Sequence, residues 1–205
     1  MNSLLTQVAQ ISLVEATAAL LGLAYLLLAV RRNLWCWLCA LLSTSIYLVL
    51  FAQAKLYMQS ALQVFYLAMA IYGYIEWRRG RSERGEVLIR SWPLRTHLMA
   101  FALIALATVV NGWLLVRSTD AVAPYLDSFV TWGSVVTTWM VARRLIENWL
   151  YWVVIDSLAA YLYFTQNLLP TTVLFVLYVG IVIHGYVKWR RQQRVQVAEA
   201  AEAVA

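Results

Sequence analysis

Apolar residues run along this chain in blocks of about twenty, separated by short basic connections. Residues 34–54, 56–75 and 98–116 carry no charged side chain, Ile11–Val30 carries only Glu15, and Tyr125–Ala142 carries only Asp127. As helices rising about 1.5 Å per residue, such blocks cross a hydrocarbon layer of about 30 Å. Residues 157–187 also lack Asp, Glu, Lys and Arg, but that run is too long for one crossing. Asn167-Leu168-Leu169-Pro170 divides it, because the residue before a proline disfavours helix and the proline can open the next one. The pattern predicts seven spans, near residues 12–30, 34–53, 56–76, 97–116, 125–143, 149–167 and 171–189. No two-residue alternation of the kind a barrel strand shows is present. The predicted class is an all-α integral membrane protein with seven transmembrane helices.

The blocks repeat. Ala29-Val30-Arg31-Arg32 is answered by Val141-Ala142-Arg143-Arg144, and Tyr72-Gly73-Tyr74-Ile75-Glu76-Trp77-Arg78-Arg79 by His184-Gly185-Tyr186-Val187-Lys188-Trp189-Arg190-Arg191, both 112 residues later. Between these anchors, Asn33 and Trp37 match Asn148 and Trp152 at an offset of 115, which implies a three-residue indel that opens and closes. Three spans form each repeat, and a fourth lies between them without a match. Three helices leave the chain on the far side of the membrane and the fourth returns it, so both repeats enter with one orientation. The expectation is two parallel three-helix bundles joined by a connecting helix, a 3+1+3 arrangement of the kind found in transporters. The corresponding divisions are residues 1–80, 81–124, 125–191 and a tail at 192–205 expected to fray.

Charge adds a direction. The 205 residues are 63% hydrophobic and 13% charged, with a net charge of +6. Fourteen of the sixteen Lys and Arg fall in alternate connections, leaving only Lys55 and Arg117 on the other side. The positive-inside rule then places the N-terminus outside and the C-terminus in the cytoplasm of a multi-pass protein, expected in a bacterial inner membrane. The first span lacks a preceding basic region, so it is read as retained rather than as a signal peptide. No basic stripe on a soluble domain supports nucleic-acid binding. The loop Arg78–Arg95 is expected to rest against anionic headgroups of the lipid bilayer.

Polar side chains inside a bilayer are costly and face a cavity or one another. On the sixth span Asn148, Trp152, Asp156, Tyr163 and Gln166 share one helical face. Gln59, Gln63, Tyr66 and Trp77 share a face of the third span, with Thr171, Phe175, Tyr178 and Trp189 at the same places in the seventh. Thr131, Ser134, Thr138, Gly22, Gly73 and Gly185 are read as helix-packing positions. Trp77, Trp149 and Trp189, at span ends, are read as interfacial anchors. Glu15 and Asp127, near the outer ends, are expected to be solvated or paired with loops. Asp156 lies deeper with no Lys or Arg at its depth, and could be protonated, hydrogen-bonded to Gln63 or Ser45, or neutralised by a cationic ligand. Trp152 and Trp37, taken as its repeat mate, offer indole faces to a flat or cationic ring. Cys36 and Cys39 form a C-x-x-C with no second pair, read as small buried thiols. With no metal-ligand cluster, nucleophile elbow or phosphate-cradling glycine loop, no catalytic residue, metal or cofactor is expected.

Two segments resemble a known family. Ala61-Leu62-Gln63-Val64-Phe65-Tyr66, continuing through Ile71-Tyr72-Gly73-Tyr74 to Trp77, is similar to the third-helix signature of the PnuC vitamin transporters. Glu147-Asn148-Trp149-Leu150-Tyr151-Trp152, continuing to Asp156, is similar to their sixth-helix signature. The resemblance covers about residues 13–191 and implies a fold related to the SWEET sugar transporters. It implies uptake of nicotinamide riboside by facilitated diffusion, with the vitamin trapped by a cytoplasmic kinase. Family branches that take thiamin or riboflavin share these motifs, so the substrate stays open among the three, and a non-transporting scaffold is the competing class. The matched ligand positions are Asn148 and Trp152, with Gln63 and Tyr66 on the third span. The full candidate set is Trp37, Gln59, Gln63, Tyr66, Asn148, Trp152, Asp156, Tyr163 and Tyr178, and a homo-oligomer is compatible with it. Trp35 has no counterpart in the second repeat.

Overall fold

The computed structural model describes residues 12–53, 57–81, 86–119 and 123–202, without the side chains of 57–59 and 200. Seven helices follow in order: α1 (Leu13–Val30), α2 (Trp35–Gln53), α3 (Tyr57–Arg79), α4 (Leu94–Ser118), α5 (Pro124–Ala142), α6 (Asn148–Thr165) and α7 (Leu169–Glu202). They coincide with the seven predicted spans, apart from longer ends. Ser12 and Glu15 form a capping box at the start of α1, each side chain taking a backbone N–H of the other. Glu15 is exposed, as expected near an outer end, and serves there as a cap. By length and composition α1, α2, α4 and α7 can each cross a membrane. The other three are diluted by the polar faces that the sequence assigns to them.

Six helices close a ring. α1 packs on α2, α2 on α3, α3 on α5, α5 on α6, α6 on α7, and α7 on α1, while α4 packs on α5 outside the ring. The two seams between repeats, α3 with α5 and α7 with α1, are the same contact made twice. These contacts are consistent with the 3+1+3 arrangement, its halves joined edge to edge.

The backbone carries the repeat at one offset throughout. Arg32 N donates to Ala29 O and Arg144 N to Val141 O, both at 2.9 Å. Asn33 N donates to Leu28 O and Leu145 N to Met140 O, both at 3.0 Å. Trp37 N donates to Leu34 O, and Trp149 N to Ile146 O. Every pair lies 112 residues apart, so no indel opens. The structural mate of Trp37 is Trp149 rather than Trp152, and the Asn-x-x-x-Trp match at 115 is a coincidence of composition.

The basic end of the ring is sealed by four indoles. Trp37 meets Trp77 edge-on with centroids 5.4 Å apart, Trp149 meets Trp189 in the same way at 5.4 Å, and Trp77 and Trp189 join the pairs at 5.9 Å. Trp77 Nε1 donates to Val141 O at 3.0 Å, and Trp189 Nε1 to Ala29 O at 3.3 Å, so each repeat is tied to the other by the same bond. All four are buried. Trp77, Trp149 and Trp189 are therefore lattice members rather than anchors facing lipid. Lipid tails give apolar helices little reason to associate, so close packing and hydrogen bonds of this kind hold such a seam. Gly73 and Gly185 make the approach possible, since a Cβ at Gly73 would stand 2.3 Å from the Trp37 ring and one at Gly185 2.8 Å from Trp149.

Over this lattice lies the connection between α3 and α4. Val87 and Ile89 of this connection are buried, while Arg78, Arg79, Arg81, Arg90 and Arg95 stay exposed. Arg32 and Arg144, both left-handed at φ 55° and 64°, hold the connection from opposite repeats. Arg32 Nη1 donates to Val87 O and Arg144 Nη1 to Gly80 O, each at 2.7 Å. Burial, with Arg90 adding, lowers the Arg144 guanidinium from its ordinary value, and Glu76 at 3.7 Å opposes that shift. The tail does not fray up to Glu202. It continues α7, and Gln196 clamps the same loop, accepting from Ile89 N at 3.1 Å and donating to Val87 O at 3.3 Å.

Candidate functional site

The polar face of α6 runs inward from this sealed end. Asn148, in the first turn, is fully buried, with its amide donating to Leu145 O and its Oδ1 without a partner among the described residues. One turn further, Trp152 is half-buried and packs between the indole cluster and a second cluster of Met140, Tyr151 and Ile155. Another turn brings Asp156, buried at 4% exposure. Eight residues of helix separate Asn148 from Asp156, about 12 Å of depth. Ser45, one expected partner of Asp156, donates instead to Leu41 O in its own helix. Asp156 makes no hydrogen bond or ion pair among the described residues, and neither does buried Gln63.

Around Asp156 the ring gathers tyrosines from five helices. Tyr66 of α3 stands near Ser134 of α5 across one seam and lies within electrostatic reach of Tyr163 of α6. At the other seam a Cβ at Gly22 of α1 would stand 3.5 Å from the Tyr178 hydroxyl of α7 and 3.6 Å from Ser43 of α2. Tyr178 is within electrostatic reach of both Tyr47 and Asp156, and Tyr25 of Tyr66. Phe175 links Tyr163 and Tyr178, with centroids 5.2 and 5.4 Å away. Aromatic faces and hydroxyls thus converge from both repeats, with Asp156 in reach of Tyr178 and Asp127 in reach of Tyr163.

Tyr66, Asp156, Tyr163 and Tyr178 are linked in this way, while buried Gln63 stands one turn before Tyr66 on α3 and Trp152 one turn before Asp156 on α6. Asn148 stands at the sealed end of the same face. Trp37 is placed in the indole lattice, 2% exposed, with Nε1 unpartnered as Trp149 Nε1 also is. The side chain of Gln59 lies outside the described residues. Asp127 of α5 is half-buried, and burial sets it in reach of Tyr163 rather than of a loop. Sequence reasoning passed over Tyr25 and Tyr47, and gave Ser134 to packing alone. A hydroxyl in the middle of an otherwise apolar span was the available signal. Ser134 does pack, on the seam where Tyr66 also stands.

Such a site can hold a flat ring between aromatic faces, satisfy its amide or hydroxyl groups, and offset one positive charge. Among the described residues no group of His, Cys, Asp and Glu is placed to bind a metal.

The sequence model of the nicotinamide mononucleotide transporter family matches residues 12–191. Among curated proteins, the riboflavin/roseoflavin transporter RibM of Streptomyces davaonensis is 30% identical over 196 residues, covering 90% of this chain and 89% of its own. The nicotinamide riboside transporter PnuC of Escherichia coli is 27% identical over 209 residues, covering 90% and 87%. PnuC of Neisseria mucosa is 25% identical over 193 residues, covering 88% and 73%. The crystal structure of the vitamin B3 transporter PnuC shares the fold, with a TM-score of 0.72 over 88% of this chain and 82% of that one at 23% identity.

Proposed function

We propose that this chain, which belongs to the nicotinamide mononucleotide transporter family, is a multi-pass vitamin transporter that takes up nicotinamide riboside by facilitated diffusion. The observation that carries the substrate is Asp156, a buried carboxylate facing the tyrosines with no cationic partner among the described residues. Nicotinamide riboside brings a pyridinium to that charge, a carboxamide to Gln63, and ribose hydroxyls to Tyr66, Tyr163 and Tyr178. Trp152, on the face of α6 that leads to Asp156, would stack on the ring.

The two like seams suggest how the ring alternates. Rocking one repeat against the other would open the tyrosine end or the indole end in turn, with Asp156 between them. By the positive-inside rule the basic connections at the indole end would face the cytoplasm and the N-terminus the outside of a bacterial inner membrane. Release inward then requires the indole lattice and the loop clamped by Arg32, Arg144 and Gln196 to part. A cytoplasmic kinase that phosphorylates the vitamin would keep it from returning. A reporter fused after Ala205 is expected to be active only if it is of the cytoplasmic type.

A second reading has its own support. RibM is 30% identical to this chain against 27% for PnuC of Escherichia coli. Riboflavin would stack on the same aromatic faces, but being neutral it gives Asp156 no charge to balance. Titration calorimetry of the purified protein with nicotinamide riboside, thiamin and riboflavin separates these readings, paired with uptake into proteoliposomes. Nicotinamide riboside is expected to bind and to equilibrate faster than in empty vesicles. Riboflavin binding without heat from nicotinamide riboside would overturn the substrate. Equal rates in loaded and empty vesicles for all three would overturn transport itself.

A further inference from the structure

Outside the ring, at the basic end, a groove of about 850 Å³ lies between α2 and α3. Arg31 and Arg81 line it, with Trp35, Leu38, Ile71 and Tyr74. All six are exposed, and Trp35 and Ile71 expose more than half of their surface. The repeat shows why Arg31 is available. Its mate Arg143 lies over the Trp139 ring and is engaged by the Tyr72 hydroxyl at 3.3 Å and by Glu76 at 3.9 Å. The residues 112 places on from Tyr72 and Glu76, the partners that would serve Arg31, are His184 and Lys188. Where one half of the molecule offers an acid, the other offers a second cation. The side chains of Arg31 and Arg81 make no hydrogen bond or ion pair among the described residues.

We infer that this groove is a binding site for an anionic phospholipid, with its phosphate on Arg31 and Arg81 and an acyl chain along Leu38 and Ile71. Charge and polarity select the occupant. Two guanidinium groups without a counter-charge among the described residues fit a phosphate, while the apolar trough running from them is left uncovered by a small anion. Trp35 and Tyr74 give the rim the aromatic, half-polar character that suits the depth of headgroups. A second copy docked symmetrically would bring its own Arg31 and Arg81 to the same mouth. The inference rests on the helices spanning a membrane and is independent of the proposed vitamin.

Native mass spectrometry of the purified full chain tests it, with phosphatidylglycerol and phosphatidylcholine offered in equal amounts. The wild type is expected to retain phosphatidylglycerol selectively. A juxtamembrane arginine supplies about fivefold in affinity for an anionic surface, so Arg31→Gln with Arg81→Gln should lower that preference roughly twenty-fivefold. Arg31→Lys with Arg81→Lys should retain most of it, which separates lost charge from lost folding. Ile71→Trp should obstruct the trough and weaken lipid retention while both arginines remain. Equal retention of the two lipids by the wild type would overturn the site. Displacement of the lipid by glycerol phosphate at matched concentration would make it a simple anion site. Dimers in place of lipid adducts would make it a contact between copies. Either outcome overturns the inference.

Discussion

Adding one carbon at Gly73 tests the indole lattice most directly. A Cβ there would lie 2.3, 2.4 and 2.6 Å from three atoms of the Trp37 ring, well inside any tolerable contact. Trp37 cannot yield easily, because Trp77 meets it edge-on at 5.4 Å and Tyr25 covers it at 5.9 Å. Overpacking of this severity costs about 3 kcal/mol. Replacing glycine by alanine inside a helix recovers about 1 kcal/mol, leaving Gly73→Ala less stable by about 2 kcal/mol. At Gly185 the contacts to Trp149 are 2.8 to 2.9 Å, and the same reasoning leaves a net loss of about 1 kcal/mol or less. Gly180 has nothing within 4 Å of its would-be Cβ, so Gly180→Ala should gain up to about 1 kcal/mol. Thermal unfolding of the three variants in one detergent should therefore rank them Gly180→Ala, wild type, Gly185→Ala, Gly73→Ala. Trp37→Phe should restore part of the loss in the Gly73→Ala background by removing the crowded edge. A Gly73→Ala protein that melts at or above the wild-type temperature would refute the close approach on which the lattice depends.

Asp156→Asn keeps the shape and removes the charge, so binding of nicotinamide riboside should fall by about 1.5–3 kcal/mol, roughly ten- to a hundredfold, with riboflavin unaffected in calorimetry. Unchanged binding of the cation would return Asp156 to a packing role. Trp152→Ala should cost about 2 kcal/mol, roughly thirtyfold in affinity, if its indole stacks on the vitamin ring, and an unaltered titration would remove it from the site. Gln196→Ala deletes two bonds to the loop, each worth about 1 kcal/mol, and should speed hydrogen exchange at Val87 and Ile89 without altering α1. Protection equal to wild type would show that Arg32 and Arg144 hold the loop alone.

The spans and their number were legible in the sequence because a bilayer has a fixed thickness, and runs such as residues 34–54 must match it whatever else they touch. The polar face of α6 was legible for a related reason. A carboxylate at Asp156 and an amide at Gln63 are too costly in lipid to point anywhere but inward, so a 3.6-residue period located them before any contact was known. The same logic fails where a residue is at home in two environments. Tryptophan suits the membrane interface and also a packed seam, so Trp77, Trp149 and Trp189 read as anchors until the ring bonded Trp77 and Trp189 to the opposite repeat and packed Trp149 on Trp189. The pairing of Trp37 was misread because matching letters rewards Asn-x-x-x-Trp, whereas the structural register follows backbone bonds from Arg32 and Arg144 onward. What holds the loop over the basic end was not legible, because arginine serves a headgroup and a carbonyl equally well. Only the closing of the ring brought Val87 O and Gly80 O within reach of Arg32 and Arg144, and Gln196 over both from a helix more than a hundred residues later. The sequence alone could determine what the bilayer forbids, since that penalty acts on each residue by itself. Which neighbour satisfies a permitted group depends on distances set by all six helices together, and that was decided by the tertiary structure.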